Sequence, residues 1–142
     1  MKQRYLSLLV FLGFCVEASD SKPVIAIFDR KIELPSNCVR NIKQSNQTQI
    51  SYYCSANNIK SDICEVIVTA NDFNQSIISN LVADLSLDSN SYRLNQFKVS
   101  ELSKKDSNSA FRIYTSICNA DACITIFGNY QTVVSDIKQQ LR

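Results

Sequence analysis

The alternation of apolar and polar positions predicts a chain rich in β-strands. Apolar or alternating runs bounded by turn-forming residues predict strands at about 24–34, 50–54, 64–70, 92–102, 110–118 and 123–127. Two further stretches place apolar residues every three to four positions, which is the period of an amphipathic helix. One helix is expected from Phe73 to about Leu85, with Asn71-Asp72 as its N-cap, and another from about Tyr130 to the end of the chain.

The two halves of the chain, about 23–88 and 89–142, follow the same order of elements. Residues 75–81 (QSIISNL) align with residues 131–137 (QTVVSDI), identical or conservative at all seven positions. Any two amphipathic helices look alike, which is the alternative explanation, but strand order and cysteine spacing agree with a duplication independently. We therefore predict a pseudo-duplicated β-β-β-α unit. The expected fold class is α+β, a two-layer antiparallel sheet packed by two helices in a single domain over 19–142.

The first 18 residues have the three parts of a secretory signal peptide. Met1–Arg4 is basic, residues 5–16 are almost wholly apolar, and Ala18 is a small residue at the expected cleavage site. The apolar run is well short of the ~20 residues that a membrane-spanning helix needs, although a retained anchor is an alternative. We predict a periplasmic or secreted protein, with no stable membrane insertion after the signal is cleaved.

Five of the six cysteines lie after the predicted cleavage site, and in an exported chain cysteines are usually paired. Cys118 and Cys123 are separated by four residues between two strands, so we predict a disulfide across the end of a hairpin. Cys54 and Cys64 hold the matching place in the first half and are predicted to form a second disulfide. Cys38 is then left as a free or intermolecular thiol. It could instead pair with Cys54 or Cys64, and the sequence alone does not choose.

Several classes of function are disfavoured by what the chain lacks. It has no histidine, which removes the commonest general base and the commonest metal ligand. Gly128 is the one glycine outside the signal peptide, so a glycine-rich phosphate loop is excluded. The cysteine spacings are not those of zinc sites. Basic and acidic residues are interspersed, with a net charge of +2, which gives no case for nucleic acid. We predict no catalytic activity, no cofactor and no metal.

The segment from Tyr114 to Cys123 resembles the protruding disulfide loop of the periplasmic inhibitor-of-vertebrate-lysozyme family. In that family the loop plugs the lysozyme cleft, so the resemblance implies a loop shaped to occlude a partner. The likeness covers roughly a dozen of the 142 residues. It is one of shape, because the histidine that the family carries inside the loop is missing here, where Asn119, Ala120 and Ala122 stand instead.

A small, disulfide-closed domain without catalytic residues is typical of a protein that acts by binding another protein. We expect an inhibitor or immunity-type protein that works through its hairpin tips. The expected partner contacts are Asn119 and Asp121 in one tip and Asn57, Asn58 and Lys60 in the other. The alternative is a structural component of a cell-envelope secretion or pilus assembly, in which the two repeats supply similar docking faces.

Overall fold

The computed structural model describes residues 21–55, 63–70, 79–80, 87–104, 111–128 and 131–142. The predicted signal peptide lies outside the described residues. So do Asn57, Asn58 and Lys60, and most of the helix predicted between Phe73 and Leu85, of which Ser79 and Asn80 are described and are helical.

Nine strands and one helix with defined ends make up the described part of the chain. The strands are β1 (Val24–Ile27), β2 (Arg30–Glu33), β3 (Cys38–Arg40), β4 (Gln49–Ser55), β5 (Ile63–Ala70), β6 (Asp88–Leu94), β7 (Phe97–Lys104), β8 (Phe111–Cys118) and β9 (Ala122–Gly128). The helix, α1, runs from Gln131 to Gln140.

The strands form a two-stranded hairpin and a seven-stranded antiparallel sheet. The hairpin pairs β1 with β2, and the sheet has the order β3-β4-β5-β9-β8-β7-β6. Strands β5 and β9 meet near the centre, where Cys64 lies opposite Gly128 and Thr69 lies opposite Cys123. Strands β3 and β6 form the two edges of the large sheet.

The predicted fold class is wrong, because the described chain is mostly β and is not an α+β sandwich packed by two helices. Among the described residues, five strands lie before residue 88 and four from residue 88 onward, rather than three in each half. Two segments predicted as single strands are hairpins that turn at Phe28-Asp29 and Asn95-Gln96. Phe28, Asp29 and Asn95 have positive φ values of 57°, 56° and 54°, and none is the glycine that usually marks such a turn. The internal repeat itself stays a prediction.

One face of the sheet carries the main hydrophobic core. Helix α1 buries Val133, Val134, Ile137 and the following Leu141 in this core, and the β1–β2 hairpin contributes Ile25, Ile27, Ile32 and others. The sheet contributes alternate residues of its central strands, including Val66, Ile124 and Ile126. Burying each aliphatic side chain of this kind stabilises the fold by about 1.5–3 kcal/mol.

Polar contacts hold α1 in position over the sheet. Lys138 of α1 forms a 2.5 Å salt bridge with Glu101 of β7, a residue that is 7% exposed. The ammonium group also lies 5.4 Å from the centre of the Tyr92 ring, whose hydroxyl donates to Glu101. At the end of the helix, the Gln140 amide accepts from the Glu33 backbone nitrogen and donates to the Glu33 carbonyl, as a neighbouring strand would.

The opposite face of the sheet also contains buried residues. Side chains alternate between the two faces along a strand, and Ile117 and Ile124 belong to the main core. The fully buried residues on the opposite face therefore include Leu102, Tyr114 and Cys123. The Cys118 side of β8 therefore faces away from α1. This places the Cys118–Cys123 disulfide and the cysteines of β3, β4 and β5 on opposite faces of the sheet.

Candidate functional site: a disulfide-braced hairpin tip

The turn between β8 and β9, residues 118–123, is fixed by a disulfide and by its own hydrogen bonds. We call it the β8–β9 tip. Cys118 and Cys123 lie opposite each other in the ladder and are joined by a disulfide, with their Cα atoms 4.2 Å apart. The Asn119 nitrogen donates to the Ala122 carbonyl at 3.1 Å. This is the disulfide that the four-residue spacing predicts.

The two predicted partner contacts in this tip, Asn119 and Asp121, differ in whether the side chain is already used within the turn. The Asn119 side-chain oxygen accepts hydrogen bonds from the backbone nitrogens of Asp121 and Ala122, each at 2.9 Å. Asn119 therefore closes its own turn, a common role for asparagine at this position. Ala120 and Asp121 are exposed, and no described residue forms a salt bridge with the Asp121 carboxylate. Asp121 is the charged group that the tip presents.

The strand ends that flank the second predicted tip lie at the other end of the sheet. Asn57, Asn58 and Lys60 are outside the described residues, but the flanking Ser55 and Ile63 are paired with each other. At this end of β5, Cys64 lies opposite Gly128. At the other end of β5, next to the β8–β9 tip, Thr69 lies opposite Cys123. Five residues of strand span about 17 Å. The described strand ends that flank the second predicted tip are therefore at the opposite end of the sheet from the β8–β9 tip.

A groove of about 370 Å³ opens beside the base of the β8–β9 tip. It lies between the β1–β2 hairpin and the ends of β4, β5 and β9, and its walls combine apolar and polar residues. Its lining residues are Ala26, Ile27, Phe28, Gln47, Thr48, Gln49, Ile50, Val68, Thr69, Ala70 and Ala122. The buried Thr69 hydroxyl makes no hydrogen bond within the described part of the chain. No sequence pattern indicates this groove, since its walls come from four distant segments.

The structure pairs the other cysteines differently from the prediction. Cys54 is bonded to Cys38 rather than to Cys64, and Cys64 is a buried free thiol. Backbone hydrogen bonds between β3 and β4 join Asn37 to Ser55 and Asn41 to Ser51, so Cys38 and Cys54 form a non-hydrogen-bonded pair. Side chains approach more closely in such pairs, which is the physical reason for this choice. Burial raises the pKa of the Cys64 thiol from 9.0 to about 12.

No group of three or more cysteine, aspartate or glutamate side chains that could hold a metal occurs among the described residues. The helices in the same part of the chain include none long and apolar enough to cross a bilayer. Two disulfides are typical of an oxidising compartment and are consistent with a secreted or extracytoplasmic protein. Comparisons with protein families, with curated proteins and with solved structures found no match.

Proposed function

We propose that this protein is an exported protein-binding domain without catalytic activity, an inhibitor or immunity-type protein that inserts its β8–β9 tip into a partner. The observation that carries the proposal is the rigid, exposed tip. Its backbone is held by a disulfide and three hydrogen bonds, and it presents Ala120 and the Asp121 carboxylate to solvent.

Rigidity favours binding because ordering a flexible loop at an interface reduces affinity. Each side chain or loop segment immobilised on association costs about 0.5–1.5 kcal/mol, and a preformed tip avoids most of that cost. Asn119 contributes to this rigidity without touching a partner, since its side chain is used within the turn. Asp121 is then the residue that would make a charge-assisted contact.

The groove beside the tip adds apolar surface to the same end of the molecule. Ala122 belongs both to the tip and to the groove wall, so the two form one continuous surface. A partner that receives Asp121 would place an apolar side chain in the groove. Concave surfaces that combine apolar walls with polar groups are typical of sites that receive an anchor residue.

The first experiment is affinity capture from a periplasmic extract of the source cells, followed by isothermal titration of the purified partner. Replacing Asp121 with Ala should weaken binding by about tenfold, the effect of losing roughly 1.4 kcal/mol at an interface. Glu33→Gln is the matched control, because Glu33 is an exposed acid on β2 whose backbone, not its carboxylate, contacts Gln140. Equal affinities for the wild type and Asp121→Ala would refute the assignment of the tip.

A second pair of variants separates rigidity from charge. Replacing Cys118 and Cys123 with Ser keeps Asp121 but releases the tip, so the dissociation constant should rise. Replacing Cys38 and Cys54 with Ser removes the disulfide at the opposite end and should leave affinity unchanged while the fold persists. If the chain instead sediments in a large envelope complex that neither tip variant disturbs, the protein is a structural component of an assembly.

A further inference from the structure

Three cysteines lie side by side in one row across adjacent strands. Cys54 of β4 is opposite Cys38 of β3 on one side and opposite Cys64 of β5 on the other. Residues in register on neighbouring strands point to the same face, so the three side chains share the core face of the sheet. All three are at most 2% exposed. The free thiol is thus the register neighbour of a disulfide-bonded cysteine.

Either neighbour is within reach of Cys54. Because Cys38 and Cys54 form a non-hydrogen-bonded pair, the backbone N–H and C=O of Cys54 point toward β5 instead. Cys54 and Cys64 are therefore a hydrogen-bonded pair. The Cα atoms of such a pair are about 5.5 Å apart. That separation lies inside the ~4.4–6.8 Å range that disulfides span.

The order of the row matches the geometry of thiol–disulfide exchange. The attacking sulfur approaches a disulfide sulfur from the side opposite the leaving sulfur, and here Cys64, Cys54 and Cys38 follow one another in that order. We propose that these residues form an internal exchange system, in which the disulfide moves from Cys38–Cys54 to Cys54–Cys64 and frees the Cys38 thiol.

The step is balanced without any other reactant. The Cys64 thiol gives its proton to water, and its sulfur bonds to the Cys54 sulfur. The Cys54–Cys38 bond breaks, and its electron pair leaves with the Cys38 sulfur, which takes up a proton. One disulfide and one thiol are present before and after, so no oxidant or reductant is consumed.

The exchange would release the edge of the sheet. β3 has three residues and pairs only with β4, and within the described chain the Cys38–Cys54 disulfide is the one side-chain cross-link that joins it to the sheet. After exchange, β3 keeps only its ladder with β4. Two large apolar side chains, Val39 and Ile42, are 60% and 80% exposed at this edge. The position of the disulfide would thereby determine whether this edge strand, with its exposed apolar side chains, is cross-linked to the sheet.

Burial slows this exchange under ordinary conditions. It raises the pKa of Cys64 to about 12, so the reactive thiolate is scarce near neutral pH. The groups in register beside Cys64, Cys54 on β4 and Gly128 on β9, carry no charge that would lower it. The Cys38–Cys54 form is therefore expected to persist on isolation and to exchange over long incubation.

The test follows the position of the free thiol in the exported, purified protein. Samples are held for several days at pH 9.0, the ordinary pKa of a cysteine thiol. They are then quenched in acid, denatured and labelled with N-ethylmaleimide. Peptide mapping by mass spectrometry then locates the label. We expect it on Cys64 at the start and, increasingly with time, on Cys38, together with a Cys54–Cys64 disulfide peptide.

Two variants make the result decisive. In Cys64→Ser the attacking sulfur is gone, so Cys38 must stay unlabelled at every time. In Cys38→Ser, oxidation in a glutathione buffer should join Cys54 to Cys64. The proposal is overturned if the wild type carries label on Cys64 alone after the longest incubation. Label appearing on Cys38 of Cys64→Ser would also overturn it, since reduction and not internal exchange would then be the source.

Discussion

A single methyl group added at Gly128 should disturb the centre of the sheet. Its φ of +108° lies in the region that residues with a side chain rarely adopt. A Cβ atom at this position would overlap the carbonyl oxygen of Ile63 and lie 3.1 Å from the Cα of Cys64. Both neighbours are backbone atoms of β5, the central partner of β9, so they cannot turn away as a flexible side chain could.

The expected loss of stability in Gly128→Ala follows from three contributions. Forcing alanine into this backbone conformation costs about 1–3 kcal/mol. Separating β5 from β9 at this pair weakens at least one ladder hydrogen bond, worth about 1 kcal/mol. The smaller entropy of the unfolded alanine chain offsets about 0.4–1 kcal/mol. We therefore expect the free energy of unfolding to fall by about 1–3.6 kcal/mol, a large part of the ~5–15 kcal/mol typical of a domain.

Urea denaturation of the exported protein, followed by circular dichroism, measures this loss. Ala122→Gly, at the other end of β9, is the control and should show only the ~0.5–1 kcal/mol that a glycine costs within a strand. Because Gly128 faces Cys64, Gly128→Ala should also speed the reaction of the Cys64 thiol with N-ethylmaleimide. A change in unfolding free energy below about 0.5 kcal/mol, within the usual range of neutral surface substitutions, would refute the reasoning.

Three further outcomes are expected. Lys138→Met should reduce the unfolding free energy by about 3 kcal/mol in urea denaturation, because it removes the positive charge that pairs with the buried Glu101 carboxylate; a loss no larger than that of an exposed lysine would contradict this. Asp29→Gly should raise stability by up to about 1 kcal/mol, since glycine adopts the positive φ of this turn without strain; a decrease would contradict it. Between pH 9.0 and about 12 the folded state keeps the Cys64 proton and the unfolded chain loses it, so stability should fall with rising pH. Over this range the unfolding free energy of the wild type should fall by about 1.4 kcal/mol per pH unit more than that of Cys64→Ser. Equal slopes in the two proteins would argue against the burial of Cys64.

The strands and the helix with strong periodic patterns could be predicted from the sequence. The runs at 50–54, 64–70, 110–118 and 123–127 correspond to β4, β5, β8 and β9, and the helix from about Tyr130 corresponds to α1. Each is half-buried or more, so its apolar positions repeat clearly. The Cys118–Cys123 disulfide was predictable for a similar reason, since a four-residue spacing between two strands leaves the two thiols opposite each other.

The sequence does not reveal β3, or the turns that divide the strands predicted at 24–34 and 92–102 into hairpins. β6 is an edge strand with the sequence DSNSYRL, exposed along nearly its whole length, and only its hydrogen bonds to β7 make it a strand. The turn at Phe28-Asp29 contains neither glycine nor asparagine, so the pattern of the β1–β2 hairpin is that of one continuous strand. The choice of Cys38 over Cys64 depends on which pairs are hydrogen bonded, and the sequence does not encode that directly.

A photoreactive amino acid placed at the tip tests the central claim most directly, because it captures whichever protein the tip touches in the cell. p-Benzoylphenylalanine replaces Ala120, which is exposed at the β8–β9 tip, and in a control chain it replaces Asn90, which is exposed on the edge strand β6. Irradiation of living cells that export the protein should produce one discrete heavier band from the Ala120 position and none from the Asn90 position. A cross-link from Asn90 with none from Ala120 would contradict the account and place the partner on the edge of the sheet.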